Sequence, residues 1–287
     1  MSASERRKAF RRLLAGSSCV TPAAVFNPIS ARIADELGFE VGLLAGSIAS
    51  LDVLGGPDIA LITLSELAEQ ARRICRASKL ALLVDADHGY GNALNVIRTV
   101  QELESAGVAA LTIEDTRLPT AFGSQGPDEL ISVEEAVGKM RAACGAREDP
   151  SLAIVGRTNL SAAKASAELI DRAKAYEAAG VDALFIVGLK SREQLEGVAA
   201  AIRLPLILGS APPEVSDLDY LAGQRVRVRH VGHYPYQASV KATYAALTAI
   251  RKGEAPEPSS AASPEMMKRL MRDDLYAAWA KDFLRRG

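Results

Sequence analysis

The sequence predicts an α/β fold, a closed (β/α)8 TIM barrel, on two grounds. Eight short runs rich in Val, Ile and Leu alternate with longer amphipathic helical patterns, as buried parallel strands and their crossover helices do. Residues 107–113 resemble residues 180–186, and residues 38–44 are a weaker third copy. Eight strand–helix units in a chain of 287 residues favour a closed barrel over a doubly wound open sheet, the alternative that alternates in the same way.

The eight apolar runs are interpreted as the barrel strands: residues 19–25, 41–45, 80–85, 110–114, 152–155, 183–187, 204–208 and 226–231. The 3.6-residue pattern predicts helices over residues 63–76, 92–105, 132–144, 162–179 and 191–202. The first of these opens with a capping box from Thr63 to Glu66, and Ser132 with Glu135 is a second helix start of that kind. Residues 4–14 are a short helix that we expect to cover the bottom of the barrel.

The C-terminal segment is predicted to be separate from the barrel. Residues 253–263 form a linker rich in Pro, Ser and Ala. Residues 264–286 place Met, Leu, Trp and Phe side chains on one face of a single amphipathic helix. We therefore divide the chain into a barrel with its N-terminal helix, residues 1–253, and a linker with a C-terminal helix, residues 254–287. Such a helix either folds back or packs on another subunit.

The composition excludes several classes of protein. Lys and Arg number 34 against 35 Asp and Glu, so there is no basic excess to bind a nucleic-acid backbone. The apolar runs are too short to cross a membrane. The three cysteines are far apart, and no secretory signal precedes the first helix. A cytoplasmic enzyme without disulfides or structural zinc is expected.

Three carboxylates stand where strands end, and in a barrel these ends form one rim. Asp85 and Asp87 alternate with Ala86, so their side chains should share one face of an extended chain, and Glu114 ends the neighbouring strand. Hard oxygen ligands suit Mg²⁺, or Mn²⁺. The alternative is that an aspartate merely caps the next helix.

Arg157 ends an otherwise apolar strand, where its burial requires an anionic partner. One interpretation is a salt bridge to Glu114 or Asp115. The other is a guanidinium that binds a substrate carboxylate or a developing enolate oxygen. The two interpretations are compatible if substrate replaces the bridge.

At two further polar positions the sequence alone is weaker evidence for a functional role. Gly46 and Ser47 follow the second strand, where a hydroxyl and backbone N–H groups could bind a carboxylate. His233 follows the last strand and is as often structural as catalytic. His88 should point away from Asp87 and is left out, and the role of His230, within the last strand, is open.

Taken together, these residues resemble a known family. Residues 85–92 (Asp-Ala-Asp-His-Gly-Tyr-Gly-Asn), then Glu114-Asp115, then Gly156-Arg157-Thr158 are similar to motifs of the phosphoenolpyruvate mutase/isocitrate lyase superfamily. The resemblance extends from about Phe10 to the C-terminus. It implies a barrel with a Mg²⁺ site that binds α-keto acids, and a last helix exchanged between subunits of a homotetramer, a dimer of dimers.

The resemblance also assigns a role to each candidate residue. The metal site takes Asp85 and Asp87, with Asp58 and Glu114 in its outer surroundings. The substrate is bound by Gly46, Ser47, Arg157 and His233. Asp58 follows from the family alone, because the sequence around it reads as a turn.

The loop after the fourth strand departs from the carbon–carbon lyases of this superfamily, whose K-[KR]-C-G-H motif carries an acid/base Cys. Here residues 116–127 contain no Lys, Cys or His. The resemblance is greatest to the branch that decarboxylates oxaloacetate. It implies Mg²⁺-dependent conversion of this α-keto dicarboxylic acid into pyruvate and CO₂ through a metal-stabilised enolpyruvate. The alternatives are a carbon–carbon lyase acting on a 2-methylmalate-like or methylisocitrate-like acid, and a non-catalytic binder of keto acids.

Overall fold

A computed structural model describes residues 1–123, 129–162, 166–255, 257–258 and 261–284. The chain divides into two compact units, Met1–His233 and Tyr234–Gly287. The predicted end of the barrel at Gly253 lies after the first helix of the second unit. In the described part of the chain, no helix is long and apolar enough to cross a membrane.

The first unit contains one parallel sheet whose eight strands are neighbours in chain order. They are β1 Ala23–Ala24, β2 Val41–Leu44, β3 Ala81–Asp85, β4 Ala110–Glu114, β5 Ala153–Asn159, β6 Ala183–Val187, β7 Leu206–Gly209 and β8 Val226–His230. A parallel bridge joins Val20 to Val228, so the chain that leads into β1 also pairs with β8 and closes the ring. The predicted barrel is confirmed.

Helices follow the strands around this ring. In the first unit they are α1 Ala3–Ala15, α2 Pro28–Glu36, α3 Gly46–Leu54, α4 Leu64–Ala77, α5 Ala93–Ala106, α6 Val133–Ala146, α7 Ser166–Ala179, α8 Arg192–Ala201 and α9 Leu218–Gly223. The capping box of Thr63 and Glu66 is present at α4. Ser132 caps α6 by accepting from the Glu135 N–H. The predicted helices therefore begin where their capping residues place them.

The differences from the predicted strands are local. The run 19–25 forms only a two-residue strand, and the fifth strand continues past its predicted end to Asn159. Helix α3 begins directly after β2, so that Gly46 and Ser47 form its first turn. The predicted helix 162–179 is seen from Ser166, since residues 163–165 lie outside the described residues.

Helix α1 covers the amino-terminal ends of the strands, as the sequence predicts. Arg7 donates to the Val108 carbonyl just before β4 and pairs with Asp149 at 2.9 Å. Arg11 pairs with Asp182 at 2.6 Å, just before β6. These bonds fasten the helix at the bottom of the barrel, away from the carboxyl ends of the strands where barrel enzymes hold their substrates.

The second unit contains three helices, α10 Tyr234–Arg251, α11 Pro264–Met271 and α12 Asp273–Leu284. The prediction of a single helix over 264–286 is wrong, because one helix ends at Met271 and another begins at Asp273. Arg272 adopts the left-handed region with φ 61°, and its N–H returns to the carbonyls of Arg269 and Lys268. No Gly or Pro marks this position, so the usual signal for such a helix end is missing.

Candidate active site

A cavity of about 220 Å³ opens at the carboxyl ends of the strands. It contains five of the predicted site residues, Ser47, Asp58, Asp85, Arg157 and His233. The rest of its lining is Leu43, Ala45, Leu83, Thr112, Phe185, Val187, Gly209, Ser210 and His230. The strand ends thus bring together residues that are up to about two hundred positions apart in the sequence.

Arg157 is held between two carboxylates of neighbouring strands. Its Nη1 donates to Oδ2 of Asp85 at 2.5 Å. Its Nε lies 3.2 Å from Oε2 of Glu114, an ion-pair contact without hydrogen-bond geometry. Of the two partners the sequence offered, Glu114 is present and Asp115 is not. The guanidinium also lies 5.7 Å from the centre of the Phe185 ring, a cation–π contact.

Asp85 is a carboxylate whose neighbours favour its charged form. Burial alone would raise its pKa, but the charge of Arg157 and hydrogen bonds from Thr112 and Arg157 outweigh that effect and hold the pKa below its ordinary value. The Thr112 hydroxyl donates to Oδ1 at 2.8 Å. Asp85 is therefore ionised and fixed in orientation at the cavity wall.

Asp87 is the opposite case, a buried carboxylate among like charges. Its pKa is raised well above the ordinary value, first by burial and then by repulsion from Asp85, Glu114 and Asp58. It makes no ion pair in the described part of the chain. The chain also turns at Asp87, with φ 46°, so the simple strand alternation predicted for Asp85 and Asp87 does not hold. A buried carboxylate without an ion pair either takes up a proton or binds a cation.

Glu114 and Asp58 complete the acidic group. The backbone N–H of Glu114 donates to the Asp87 carbonyl at 2.8 Å and so fixes the turn that carries Asp87. Burial is the main cause that raises the pKa of the Glu114 carboxyl. Asp58 lines the cavity from the loop after α3, and its charge contributes to the raised pKa of Asp87 and Glu114.

Asp115, the other partner that the sequence offered for Arg157, has a different environment. Its carboxylate accepts from Thr158 at 2.8 Å and from Tyr176 at 2.5 Å, and it pairs with Arg172 at 3.2 Å. These donors lie on β5 and α7. Asp115 therefore joins a strand to a helix outside the cavity and does not belong to the site.

The first turn of α3 presents Gly46 and Ser47 near the acids. A side chain at position 46 would overlap the carboxylate of Asp87, so glycine is required for Asp87 to lie where it does. Ala45 precedes the helix and provides no side-chain cap, which leaves the N–H groups of the first turn for another acceptor. The carboxylate-binding role of Gly46 and Ser47 stays a prediction.

Two histidines face the cavity from the end of β8. The Nε2 of His233 lies 3.5 Å from the Ser47 hydroxyl, at the limit of a hydrogen bond. Its ring centre is 4.8 Å from that of His230. Burial lowers the pKa of His233, and Asp85 and Asp58 oppose the shift without reversing it. Both imidazoles are therefore neutral near pH 7, since the pKa of His230 is lowered to about 4.

His88 was left out of the predicted site, and it does not line the cavity. Its ring is buried behind the turn, and its carbonyl accepts from the buried ammonium of Lys139 at 3.0 Å. Lys139 thereby fixes the backbone next to Asp87 from helix α6.

Sequence reasoning missed Thr112, Phe185 and Ser210 and left His230 open. Thr112 could have been found as the one polar residue before the end of its apolar run. Phe185 is recognisable only once the register places it beside Arg157. The loop that lacks Lys, Cys and His, residues 116–127, lies partly outside the described residues, at 124–127.

The donor set suits a hard divalent cation. In the described ranges, no three His, Cys, Asp or Glu side chains enclose a metal position. Mg²⁺, however, needs only one or two protein carboxylates, because it keeps several water molecules. Asp85 is ionised and Asp87 is unpaired, so these two carboxylates fit the group, and Glu114 and Asp58 lie close enough to influence their charge.

Comparisons with known proteins agree with this geometry. A sequence model of the phosphoenolpyruvate phosphomutase family matches residues 10–251. An oxaloacetate decarboxylase of Rhodopseudomonas palustris (strain BisB5) is 58% identical over 280 residues, which cover 97% of this chain and 96% of that protein. An oxaloacetate decarboxylase of Bradyrhizobium diazoefficiens is 55% identical over 285 residues, 99% of each chain.

A solved structure shows the same fold around a bound ligand. The crystal structure of phosphonopyruvate hydrolase in complex with oxalate and Mg²⁺ superimposes with a TM-score of 0.86 at 27% identity, and covers 99% of this chain and all of that one (100%). The resemblance drawn from the sequence is therefore confirmed.

Proposed function

This chain belongs to the phosphoenolpyruvate phosphomutase family, and from that premise we propose that it is a carboxy-lyase that converts oxaloacetate into pyruvate and CO₂. Close relatives and the cavity together carry the proposal. Relatives at 54–58% identity have the decarboxylase name, and the described lining holds one cation, Arg157, that can stabilise an enolate. Loss of CO₂ from a β-keto acid needs no group to deprotonate a hydroxyl. A carbon–carbon lyase does need one, and residues 116–127, the loop that carries it in the lyases, contain no Lys, Cys or His.

Asp85 and Asp87 are the proposed residues that hold a divalent metal, Mg²⁺ or Mn²⁺, with Asp58 and Glu114 orienting its water molecules. The Mg²⁺ ion in the structure of phosphonopyruvate hydrolase with oxalate supports a divalent metal in this fold. The bound metal would supply positive charge to the keto oxygen of the substrate. The contribution of the chain is a rigid turn at Asp87, fixed by the Glu114 N–H and by Lys139.

Arg157 is the proposed group that stabilises the developing enolate. As the C3–C4 bond breaks, its electron pair moves to the keto oxygen, and C3 later takes a proton from water. A guanidinium already fixed by Asp85 and Glu114 needs no reorganisation as this charge appears. Gly46 and Ser47 are proposed to bind the substrate carboxylate that remains in pyruvate.

His233 is proposed to orient the leaving carboxylate. A charged partner would stabilise that carboxylate in the ground state and retard its conversion to neutral CO₂. A neutral imidazole avoids this penalty, and burial keeps His233 neutral near pH 7.

The proposal is tested by coupling pyruvate release to lactate dehydrogenase, with oxaloacetate as substrate, with and without a chelator. Turnover above the metal-catalysed background, lost on chelation and restored by Mg²⁺ or Mn²⁺, is the expected result. Binding of oxaloacetate without turnover would favour the non-catalytic alternative. Cleavage of a 2-methylmalate-like acid in its place would favour the lyase.

For His233 we expect activity to be carried by the neutral form. Burial lowers its pKa from the ordinary value, so kcat/KM should change little near neutral pH and fall at lower pH, as the pH drops through the pKa of His233 in the folded enzyme. His233→Gln should flatten this acid limb and keep more activity than His233→Ala. If both variants only melt at lower temperature, with KM and pH profile unchanged, the residue is structural.

We also propose that the chain forms a homotetramer, a dimer of dimers, in which residues 254–287 pack on a neighbouring subunit. In α11 and α12, Met267, Met271, Leu275, Trp279 and Phe283 are each more than a third exposed, and a large exposed apolar surface marks an interaction site. The cytoplasm is the proposed location, because all three cysteines are free thiols.

Removing residues 264–287 is expected to reduce the oligomer to a smaller species, because the apolar face that joins subunits is lost. Light scattering after size exclusion gives the mass. Trp279→Asp in the full-length chain should have the same direction of effect without shortening it. An unchanged mass for both variants would mean that this segment does not join subunits.

A further inference from the structure

His230 has both ring nitrogens buried and without a hydrogen-bond partner among the described residues. Only 7% of the residue is exposed, and it lines the cavity beside His233. A buried imidazole without partners is costly, because its N–H and its lone pair both lose water on folding. Its placement is explained if a bound ligand provides the missing partner.

The position of His230 in the barrel indicates which part of a ligand it meets. The strands follow one another in order around a closed ring, so β8 lies opposite β4 and away from β3 and β5, which carry Asp85 and Arg157. A ligand whose keto-acid end lies at Asp85 and Arg157 would direct its other end toward β8. His230 and His233 therefore face the distal end of the ligand.

The residues that line the cavity near β8 indicate which chemical group the distal end of the ligand carries. His230, His233 and Ser210 line this end of the cavity and are neutral groups that can donate a hydrogen bond. The pKa of His230 is lowered to about 4, first by burial and then by His233, so a second positive charge does not arise there near pH 7. Neutral donors suit a carboxylate that must be held without being stabilised as an ion pair.

We propose that His230 is a specificity-determining residue that donates a hydrogen bond to the distal carboxylate of the substrate, so that the cavity selects four-carbon 2-oxo diacids over 2-oxo monoacids. The proposal rests on the proposed function. It adds a second imidazole to the one that the sequence indicated, and it gives the unpartnered nitrogens of His230 a ligand.

The test compares two inhibitors in the presence of Mg²⁺. Oxalate contains only the chelating end and lacks the distal carboxylate, whereas 3,3-difluorooxaloacetate has both. The dissociation constants of both are measured by calorimetry for the wild-type chain and for His230→Phe, which keeps the size of the ring and removes its nitrogens. The difluoro compound should bind about 10- to 100-fold more weakly to the variant, the loss expected for a hydrogen bond to a charged group.

Oxalate binding should stay within about twofold, because a hydrogen bond to an absent group cannot be lost. Equal weakening of both inhibitors, or weakening of neither, would overturn the proposal. His230→Asn retains an N–H donor and should recover most of the affinity for the difluoro compound. If it binds as weakly as His230→Phe at an unchanged melting temperature, the hydrogen bond is contradicted.

Failure of the proposed function is recognised separately. If the wild-type chain releases no pyruvate from oxaloacetate, the carboxy-lyase activity is refuted. The calorimetric comparison does not depend on turnover, so it still decides whether His230 recognises the distal carboxylate.

Discussion

Replacing Arg157 by lysine is expected to lower kcat by about 100- to 1000-fold, the usual cost of removing a donor aimed at developing charge. The guanidinium reaches Asp85 at 2.5 Å and Glu114 at 3.2 Å from different nitrogens. A single ammonium cannot keep both contacts and also face the substrate. Steady-state kinetics at saturating Mg²⁺ measures the effect.

Arg172→Lys is the matched control for this variant. Arg172 is also a buried arginine paired with a carboxylate, Asp115, but it lies outside the cavity. We expect Arg172→Lys to lower the melting temperature and to leave kcat within a few-fold of the wild-type value. If Arg157→Lys retains the wild-type kcat, Arg157 serves only as a salt bridge.

Replacing Asp87 by asparagine should have opposite effects on metal binding and on stability. Affinity for Mn²⁺, measured by electron paramagnetic resonance, should fall by at least about 10- to 100-fold, the range measured even for residues that hold a metal indirectly. Activity at limiting metal should fall with it. Without metal, the melting temperature should rise by about 2–4 °C if relief of like-charge repulsion contributes about 1 kcal/mol.

The reason for the rise is that Asp87 is buried among Asp85, Glu114 and Asp58 without an ion pair in the described chain. Asp115→Asn is the control, because that carboxylate has three donors; it should melt lower and bind Mn²⁺ normally. Unchanged Mn²⁺ affinity in Asp87→Asn would remove Asp87 from the metal site.

The barrel could be predicted from the sequence because each strand is a short apolar run and several helices begin with a recognisable N-cap residue. Thr63 and Ser132 each accept the backbone N–H three residues on, as their spacing predicts. The break at Arg272 could not be predicted, because left-handed backbone at an arginine has no sequence signal. Helix α3 also lacked a sequence signal, because the residue before it, Ala45, has no side chain that can cap a helix.

The site could be predicted as a set of strand-end residues but not as a set of partners. Position alone located Asp85, Arg157 and His233 near one another. It could not show that Asp115 turns toward Arg172, or that Asp87 leaves the extended conformation. These outcomes depend on side-chain direction and on contacts with α7, which no strand periodicity encodes.

The most direct test of the account follows the carbon atoms of oxaloacetate labelled with ¹³C at C4. In the presence of enzyme and Mg²⁺, nuclear magnetic resonance should show the label leaving as CO₂ and bicarbonate, with one pyruvate formed for each CO₂ and a rate that falls in Arg157→Lys. Label found in acetate, with oxalate as the other product, would show hydrolysis between C2 and C3 and contradict decarboxylation.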